Sequence, residues 1–464
     1  MIFMKEINLK PMLKPASVAI IGASRDPEKV GHVILQNYLN AGYSGKLYAV
    51  NKNAGADISG IRSFKSVLDI KHEIDLAVIA IPAQYVPEAM EECGRAGVKT
   101  AIVVSGGFAE IGNTKLQEML AKIAERYNMP TLGPNCLGVM DPRSRIDTLF
   151  LPTYKLSRPS VGGVSFVCQS GAVGSTILDL ISGEGVGLSK FISYGNAANV
   201  DEVDILNYLM ADEETKVIIM YVEGIKRGKE FIETAKKITK IKPVVVLKAG
   251  RTPAGVAAAH SHTAALAGDY ETHEAIFRQF GFTVAEDISD LLNYAKIFSS
   301  ENLPKGRKIA IVTNGGGVGV LTADAISMSG CLEVGEFMKK SNDALRKSMP
   351  ALVNIRNPLD LAGDADGKRY SDALSVLSAD DNIDMFVIIT LFQTPGADSR
   401  AAASLISFKE RTEKPMIDIS IGSEYTRMHR IMMESSGLPV YDSPLAAISS
   451  LSALFKYSIY KNRK

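Results

Sequence analysis

The sequence predicts an α/β protein built from three doubly wound, parallel-sheet domains in succession. Short β-branched apolar runs recur at regular distances, each followed by a glycine-rich or polar turn and then a helical pattern, which is the signature of repeated βα units. The 464 residues allow about three domains at roughly 100–200 residues each. With 39 glycines, the turns at the strand ends are the first place to look for function.

In the first third the apolar runs fall at 17–22, 46–51, 76–81 and 100–105, closing at the turn Gly133-Pro134-Asn135-Cys136-Leu137-Gly138. They assign residues 1–145 to one doubly wound domain. Residues 141–160 carry Pro142, Pro152 and Pro159 without a clear period and read as a linker. New strands are expected at 164–168, 190–194, 217–222 and 243–248, with an amphipathic helix near 228–238, giving a second domain over 158–300. The polar Pro/Gly stretch at 301–306 marks the next boundary. Runs at 308–313, 385–391 and 416–421 then define a third domain over 305–464.

Composition excludes several function classes. Lys and Arg number 52 against 51 Asp and Glu, so no global field favours nucleic acid or an anionic membrane. The four cysteines, Cys93, Cys136, Cys168 and Cys331, lie far apart and lack zinc-ligand spacing, which argues against a disulfide framework and a structural metal and for a reducing cytoplasm. No window approaches the roughly 20 apolar residues that span a bilayer, and the N-terminus has no long apolar core.

In the first domain a strand runs into Gly22-Ala23-Ser24-Arg25-Asp26-Pro27-Glu28-Lys29-Val30-Gly31 and then a helix, an arrangement whose backbone N–H groups and helix N-terminus attract an anion. The G-x-G-x-x-G fingerprint is absent, and the second strand ends in Asn51-Lys52 where a NAD-binding domain places an acidic residue. Arg25, Lys29 and Lys52 suit the diphosphate and ribose phosphate of coenzyme A. From spacing alone, a glycine turn with three solvated cations accounts for them equally well. Four turns in order, at Gly22-Ala23-Ser24, Asn51-Lys52, Ile81-Pro82 and Ser105-Gly106-Gly107-Phe108, each end a successive strand, where open α/β sheets bind ligands. That recurrence resembles the CoA-binding, Rossmann-like domain of the succinyl-CoA synthetase superfamily, in which such turns line the CoA site.

In the second domain residues 250–268 are nearly all small and contain His260 and His262, so the segment is expected to be a mobile loop carrying a nucleophilic imidazole. An isolated histidine more commonly caps a helix, but the surroundings favour the nucleophile. Val167-Cys168-Gln169-Ser170-Gly171-Ala172 puts a strand, a tight turn and a helix start in sequence, so Ser170, Gly171 and Ala172 offer N–H donors to a phosphate. The leading glycine of a G-x-S-x-G esterase elbow is missing. Glu223, ending the run 217–222, can orient an imidazole or simply cap the next turn.

Ser261-His262-Thr263 followed by Leu266-Ala267-Gly268 is similar to the phosphohistidine loop of the ADP-forming acetyl-CoA synthetases, with Ala264 where that family usually has glycine. The resemblance implies that His262 is phosphorylated, that Ser170, Gly171 and Ala172 receive the phosphate, that Glu223 steadies the imidazole, and that Gly133, Pro134 and Asn135 lie near the acyl group. For coenzyme A it implies a site at Gly22, Ser24, Arg25, Lys29, Asn51, Lys52, Ile81, Pro82, Ser105 and Gly106.

The third domain opens with Thr313-Asn314-Gly315-Gly316-Gly317-Val318-Gly319, a generic nucleotide-type turn, and with Asn357-Pro358-Leu359-Asp360 it resembles the family's flavodoxin-like interface domain. The second domain is implied to be flavodoxin-like as well. No G-x-x-x-x-G-K-[ST] sequence and no segment resembling ATP-grasp occurs. The resemblance therefore implies a separate β subunit carrying ATP-grasp, ADP or ATP with Mg²⁺ on that subunit, and an α2β2 heterotetramer. The implied reaction is acyl-CoA + ADP + phosphate giving carboxylate + ATP + CoA, acetyl by default. A CoA-dependent acyltransferase, a CoA-binding regulator and a NAD-dependent dehydrogenase are the rivals.

Overall fold

The five residues of Ser17–Ile21 are all buried, as expected of the central strand of a parallel sheet covered on both faces. In this computed structural model, which describes residues 7–53, 55, 57–262 and 269–463 and the side chains of all of these except 258–262, the chain forms two compact units, Met1–Val284 and Ala285–Lys464.

The first unit holds two sheets. In the first, the parallel strands lie in the order Ile61–Phe64, Lys46–Val50, Ser17–Ile21, Leu76–Ile79, Thr100–Val103 and Thr131–Leu132, with Asp57–Ile58 antiparallel at the edge. This is the Rossmann order 3-2-1-4-5-6, and the order in which strands are added to the sheet reverses between Ser17–Ile21 and Leu76–Ile79. In the second sheet the order is Thr283–Val284, Val244–Lys248, Val217–Val222, Val161–Cys168 and Leu188–Ser193, the flavodoxin order, whose switch point lies between Val161–Cys168 and Val217–Val222.

The segment read as a linker does more than connect. Gly138–Asp141 pairs antiparallel with Leu188–Ser193, and Ile146–Asp147 pairs with Gly138–Asp141, so the first part of the segment extends the second sheet. Strands of two to four residues have no legible period; the existing sheet edge supplies their hydrogen bonds. One apolar core runs through both sheets of the unit, joining Val18, Ile20 and Ile102 to Val167, Ile192 and Ile218. Each such fully buried side chain contributes about 1.5–3 kcal/mol of transfer free energy.

The second unit carries an all-parallel sheet in the order Glu333–Val334, Lys308–Thr313, Met385–Ile389, Met416–Ile419 and Val440–Tyr441, with Leu359–Asp360 also paired to Lys308–Thr313. The helix Ile288–Ser300 belongs to this unit, although the sequence reading assigns residues 158–300 to the second domain. It packs on the C-terminal helix Pro444–Asn462, with Phe298 edge-on to Tyr457 at 5.5 Å, and its Lys296 pairs with Glu434 of the helix Glu424–Ser435 at 2.6 Å. No helix among the described residues is long and apolar enough to cross a membrane.

Candidate functional site

Both switch points of the first unit open into cavities. At the second, Val161–Cys168 delivers Gln169 and Ser170 to the start of the helix Gly171–Gly183, and the Ser170 hydroxyl caps that helix by accepting from Val173 N at 3.4 Å. The uncapped N–H groups and the dipole of this 13-residue helix make the crevice attractive to an anion.

Gln169 joins the two sides of the switch point. Its Oε1 accepts the backbone N–H of Glu223 at 2.8 Å and that of Gly224 at 3.2 Å. Glu223 is only 7% exposed, and its Oε2 has no hydrogen-bond partner among the described residues. A buried carboxylate oxygen without a donor costs free energy, so this oxygen can accept from a donor that enters the cavity. Lys248, at the end of the strand Val244–Lys248, is buried nearby and donates to Ala249 O at 2.6 Å. Burial lowers the Lys248 pKa, and the negative charge of Glu223 opposes that shift.

Ser170, Gly171, Ala172, Asn135 and Glu223 line one cavity of about 1020 Å³. Four of the sequence-predicted phosphate and carboxylate residues therefore share a wall with one residue of the predicted acyl turn. That turn holds Gly133 at φ +95° and Asn135 at φ +57°, and Gly133-Pro134 is cis. The backbone carbonyl of Asn135 would lie 2.3 Å from a Cβ at Gly195, which is why the facing loop carries glycine there.

Several lining residues carry no motif in the sequence. Asn196 Nδ2 donates to Glu110 Oε2 at 2.6 Å and Gln117 Oε1 at 2.9 Å, while its Oδ1 accepts from Asn135 Nδ2 at 3.3 Å. Burial would raise the Glu110 carboxyl, but the Gly107 N–H, the Asn196 amide and the Phe108 N–H hold it below its usual value. Lys226 Nζ donates to Asn196 O and Ala197 O at 2.9 and 3.2 Å. The only sequence signal for Lys226 and Lys248 is their place just after, or at, the carboxyl end of a central strand.

The first switch point forms a smaller cavity of about 400 Å³ lined by Gly22, Asn51, Lys52, Ile81 and Pro82, together with Lys65, Tyr85, Glu88 and Glu92, which sequence reasoning missed. Asn51 Nδ2 donates to Ala23 O at 2.7 Å and so ties the second strand's turn to the first's. Ser24, Arg25, Lys29, Ser105 and Gly106 are not in its lining. The Ser24 hydroxyl accepts from Asp26 N at 3.0 Å, the Arg25 guanidinium donates to Asp57 O at 2.6 Å, and Lys29 precedes the helix Val30–Ala41 as its N-cap residue. Lys52 sits 3.4 Å from Glu88 with both side chains exposed, a pairing worth little. Ser105 Oγ donates to Ile81 O at 2.6 Å, and Gly106 lies against Asn135 and Glu110. These two residues therefore face the junction between the two crevices.

His262 ends the helix Pro253–His262, where a loop was expected. Ala254, Ala257, Ala258 and Ala259 are strong helix formers and Pro253 suits a first helical position, so the small residues that suggested a loop favour a helix. The side chain of His262, and residues 263–268 that complete the resemblance, lie outside the described residues.

Comparison with known proteins agrees with this architecture. Residues 16–142 match the model of a CoA binding domain, and residues 161–298 match that of a succinyl-CoA ligase like flavodoxin domain. The chain is 38% identical over 465 residues to the acetate–CoA ligase [ADP-forming] I subunit alpha of Pyrococcus furiosus, covering 98% of this chain and 99% of that one. It is 39% identical over 461 residues to the acetate–CoA ligase [ADP-forming] of Methanocaldococcus jannaschii, covering 98% of this chain but spanning 64% of that longer protein. Among solved structures, the dinucleotide forming acetyl-coenzyme A synthetase 1 of Ca. Korarchaeum cryptofilum, in complex with phosphate and ADP, superposes with a TM-score of 0.92 at 32% identity over 98% of this chain and 97% of that one.

Proposed function

The chain belongs to the ADP-forming acetate–CoA ligase family, and from that premise we propose that it is the CoA-handling, histidine-carrying α subunit of a nucleoside-diphosphate-forming acyl-CoA synthetase. The observation that carries this reading is the buried Glu223 Oε2, without a donor among the described residues, lining one crevice with the helix N-terminus at Ser170–Ala172. A carboxylate so placed accepts one imidazole N–H and leaves the other nitrogen free to attack, while the helix N-terminus receives the anion being transferred.

Inorganic phosphate attacks the acyl-CoA thioester carbonyl; the C–S bond breaks, and acyl phosphate and CoA form. A His262 nitrogen then attacks phosphorus, the bond to the acyl oxygen breaks, and the carboxylate leaves. ADP on a partner subunit takes the phosphoryl group from His262 as the N–P bond breaks. Splitting the transfer through a covalent intermediate lets two separated sites share one phosphoryl group. Gly22, Asn51, Lys52, Ile81 and Pro82 support the CoA end of the site, with Ser24, Arg25, Lys29, Ser105 and Gly106 as its outer contacts. Gly133, Pro134 and Asn135 support the acyl end, for which acetyl is the default.

The partner in this reading is a β subunit with an ATP-grasp domain, which binds ADP with Mg²⁺ and assembles as an α2β2 heterotetramer in the cytoplasm. The P. furiosus relative's name, subunit alpha, supports a partner chain.

The test is to incubate the chain and its partner with ATP labelled in the γ-phosphate and Mg²⁺. An acid-labile, base-stable label on this chain, lost in His262→Ala, is expected. A label that survives His262→Ala, or none at all, sinks the reading in favour of an acyltransferase or a CoA-binding regulator.

A further inference from the structure

We infer that Lys226 is the anion-binding cation of the phosphate crevice, a contact for inorganic phosphate and for the acyl phosphate that the proposed reaction forms from it. The inference rests on the synthetase reading for the identity of the anion, but its geometry stands on the cavity alone. The cavity of about 1020 Å³ is lined by the carboxylates Glu110, Glu118 and Glu223, and among the described lining residues Lys226 is the lone cationic side chain. A phosphate dianion entering beside three carboxylates needs compensating charge, which the helix N-terminus at Ser170–Ala172 supplies only as a fraction of a unit.

Lys226 is built into the cavity wall. Its ammonium donates to the carbonyls of Asn196 and Ala197, at 2.9 and 3.2 Å. These are its two acceptors among the described residues, so the third N–H of the ammonium is left for the cavity. The same Asn196 joins Glu110, Gln117 and Asn135 through its side chain, so Lys226 is anchored to the loop that faces the acyl turn. Only two residues separate it from Glu223, whose buried Oε2 has no donor among the described residues and which lines the same cavity.

Glu202, 1% exposed and with its Oε1 unpartnered among the described residues, acts electrostatically on the ammonium. Burial and the neighbouring Asp201 push the Glu202 carboxyl up to about 7, with Arg227 and Lys226 opposing. Burial lowers the Lys226 pKa, and Glu202 and Asp201 act to keep it charged. Arg227 is already committed to Asp201 and to Asp204, the latter at 2.7 Å, which leaves Lys226 as the cation of this loop that faces the crevice.

The test is a ³¹P NMR titration of the full chain with inorganic phosphate, in wild type, Lys226→Met and Lys226→Arg. Losing a charge-assisted hydrogen bond should weaken phosphate binding about 10- to 100-fold in Lys226→Met, with most affinity kept in Lys226→Arg. Coenzyme A affinity and the thermal midpoint, which a purely structural cap on Asn196 and Ala197 would move, are expected to stay close to wild type. Equal phosphate binding in wild type and Lys226→Met, absence of saturable binding in wild type, or a Lys226→Met loss matched by a fall in CoA affinity and thermal midpoint overturns the inference. The readout is independent of turnover: Lys226-dependent binding in a chain that never forms phosphohistidine would sink the synthetase reading and leave this one standing. A holoenzyme that turns over with an unchanged phosphate KM in Lys226→Met would do the reverse.

Discussion

Gln169 Oε1 accepts the backbone N–H of Glu223 at 2.8 Å, and this bond closes the second switch point by tying the end of one central strand to the end of its neighbour. Because the same oxygen also takes Gly224 N and, at 3.4 Å, the Tyr194 hydroxyl, Gln169→Leu strands three buried donors at once, each costing about 1–3 kcal/mol. The expected outcome is a lower thermal midpoint together with slower phosphohistidine formation at unchanged CoA affinity. Calorimetry and single-turnover labelling check it, and a loss of CoA affinity alone would contradict it.

Glu223→Gln keeps an acceptor for the imidazole but removes the charge. Substituting the partner that orients a working histidine typically costs about 10–100-fold, and a fall of that size in the rate of His262 labelling is expected. Rapid-quench labelling measures it; a rate equal to wild type would show that Glu223 merely caps its turn.

Lys190 is completely buried, with Asp212 at 2.8 Å, Glu214 at 2.9 Å and Asp141 at 4.0 Å. Burial by itself would raise the Glu214 carboxyl, but Lys14 and Lys190 hold it down to about 2. Lys190→Met leaves these acids without their buried counter-charge, and breaking such a network costs about 3–5 kcal/mol. Urea unfolding of the variant should show a lowered midpoint for the first unit. An unaltered midpoint would mean that the carboxylates find water instead.

Gly31 opens the first helix against the first turn: a Cβ there would lie 2.0 Å from the carbonyl oxygen of Gly22. Gly31→Ala must push the helix N-terminus away from the crevice. Weaker CoA binding by isothermal titration is expected, with phosphate binding to the Ser170 crevice unchanged. Equal losses at both sites would point to global destabilisation.

Burial pushes the Asp418 carboxyl up to about 7, against hydrogen bonds from Ser420 and Thr390 that act to lower it. In an unfolded chain the group titrates at about 4. Between these values the unfolded chain has released a proton that the folded chain keeps, so this group's stabilisation is present below pH about 4 and is lost as pH rises to about 7. Asp418→Asn should therefore raise the thermal midpoint at pH 8, by an amount on the order of several kcal/mol of stability, and change it little at pH 4. Equal shifts at both pH values would falsify the assignment.

The parallel α/β class is legible in the residues alone, because strands buried on both faces must be continuous apolar runs, and Ser17–Ile21, Val217–Val222 and Lys308–Thr313 are such runs. The residues alone also point to the strand ends that line the two cavities: Gly22, Asn51, Ser170 and Glu223 are legible because each follows an apolar run where the chain must turn. Residues 253–262 were misread as a loop, since small side chains carry no amphipathic period and yet alanine favours helix.

Which strand ends meet is set by the fold in three dimensions. The chain order of the strands differs from their order in the sheet, so Gln169 and Glu223 become neighbours across 54 residues, and Asn196 meets Glu110 across 86. Lys226, which lines the crevice, and Lys248, which is buried near Glu223, have no motif, and their one signal, a place at the end of an apolar run, does not separate them from a lysine in solvent. The packing of the helix Ile288–Ser300 against Pro444–Asn462 was hidden for the same reason: an apolar face specifies that it will be covered, whereas the surface that covers it is chosen by chain topology.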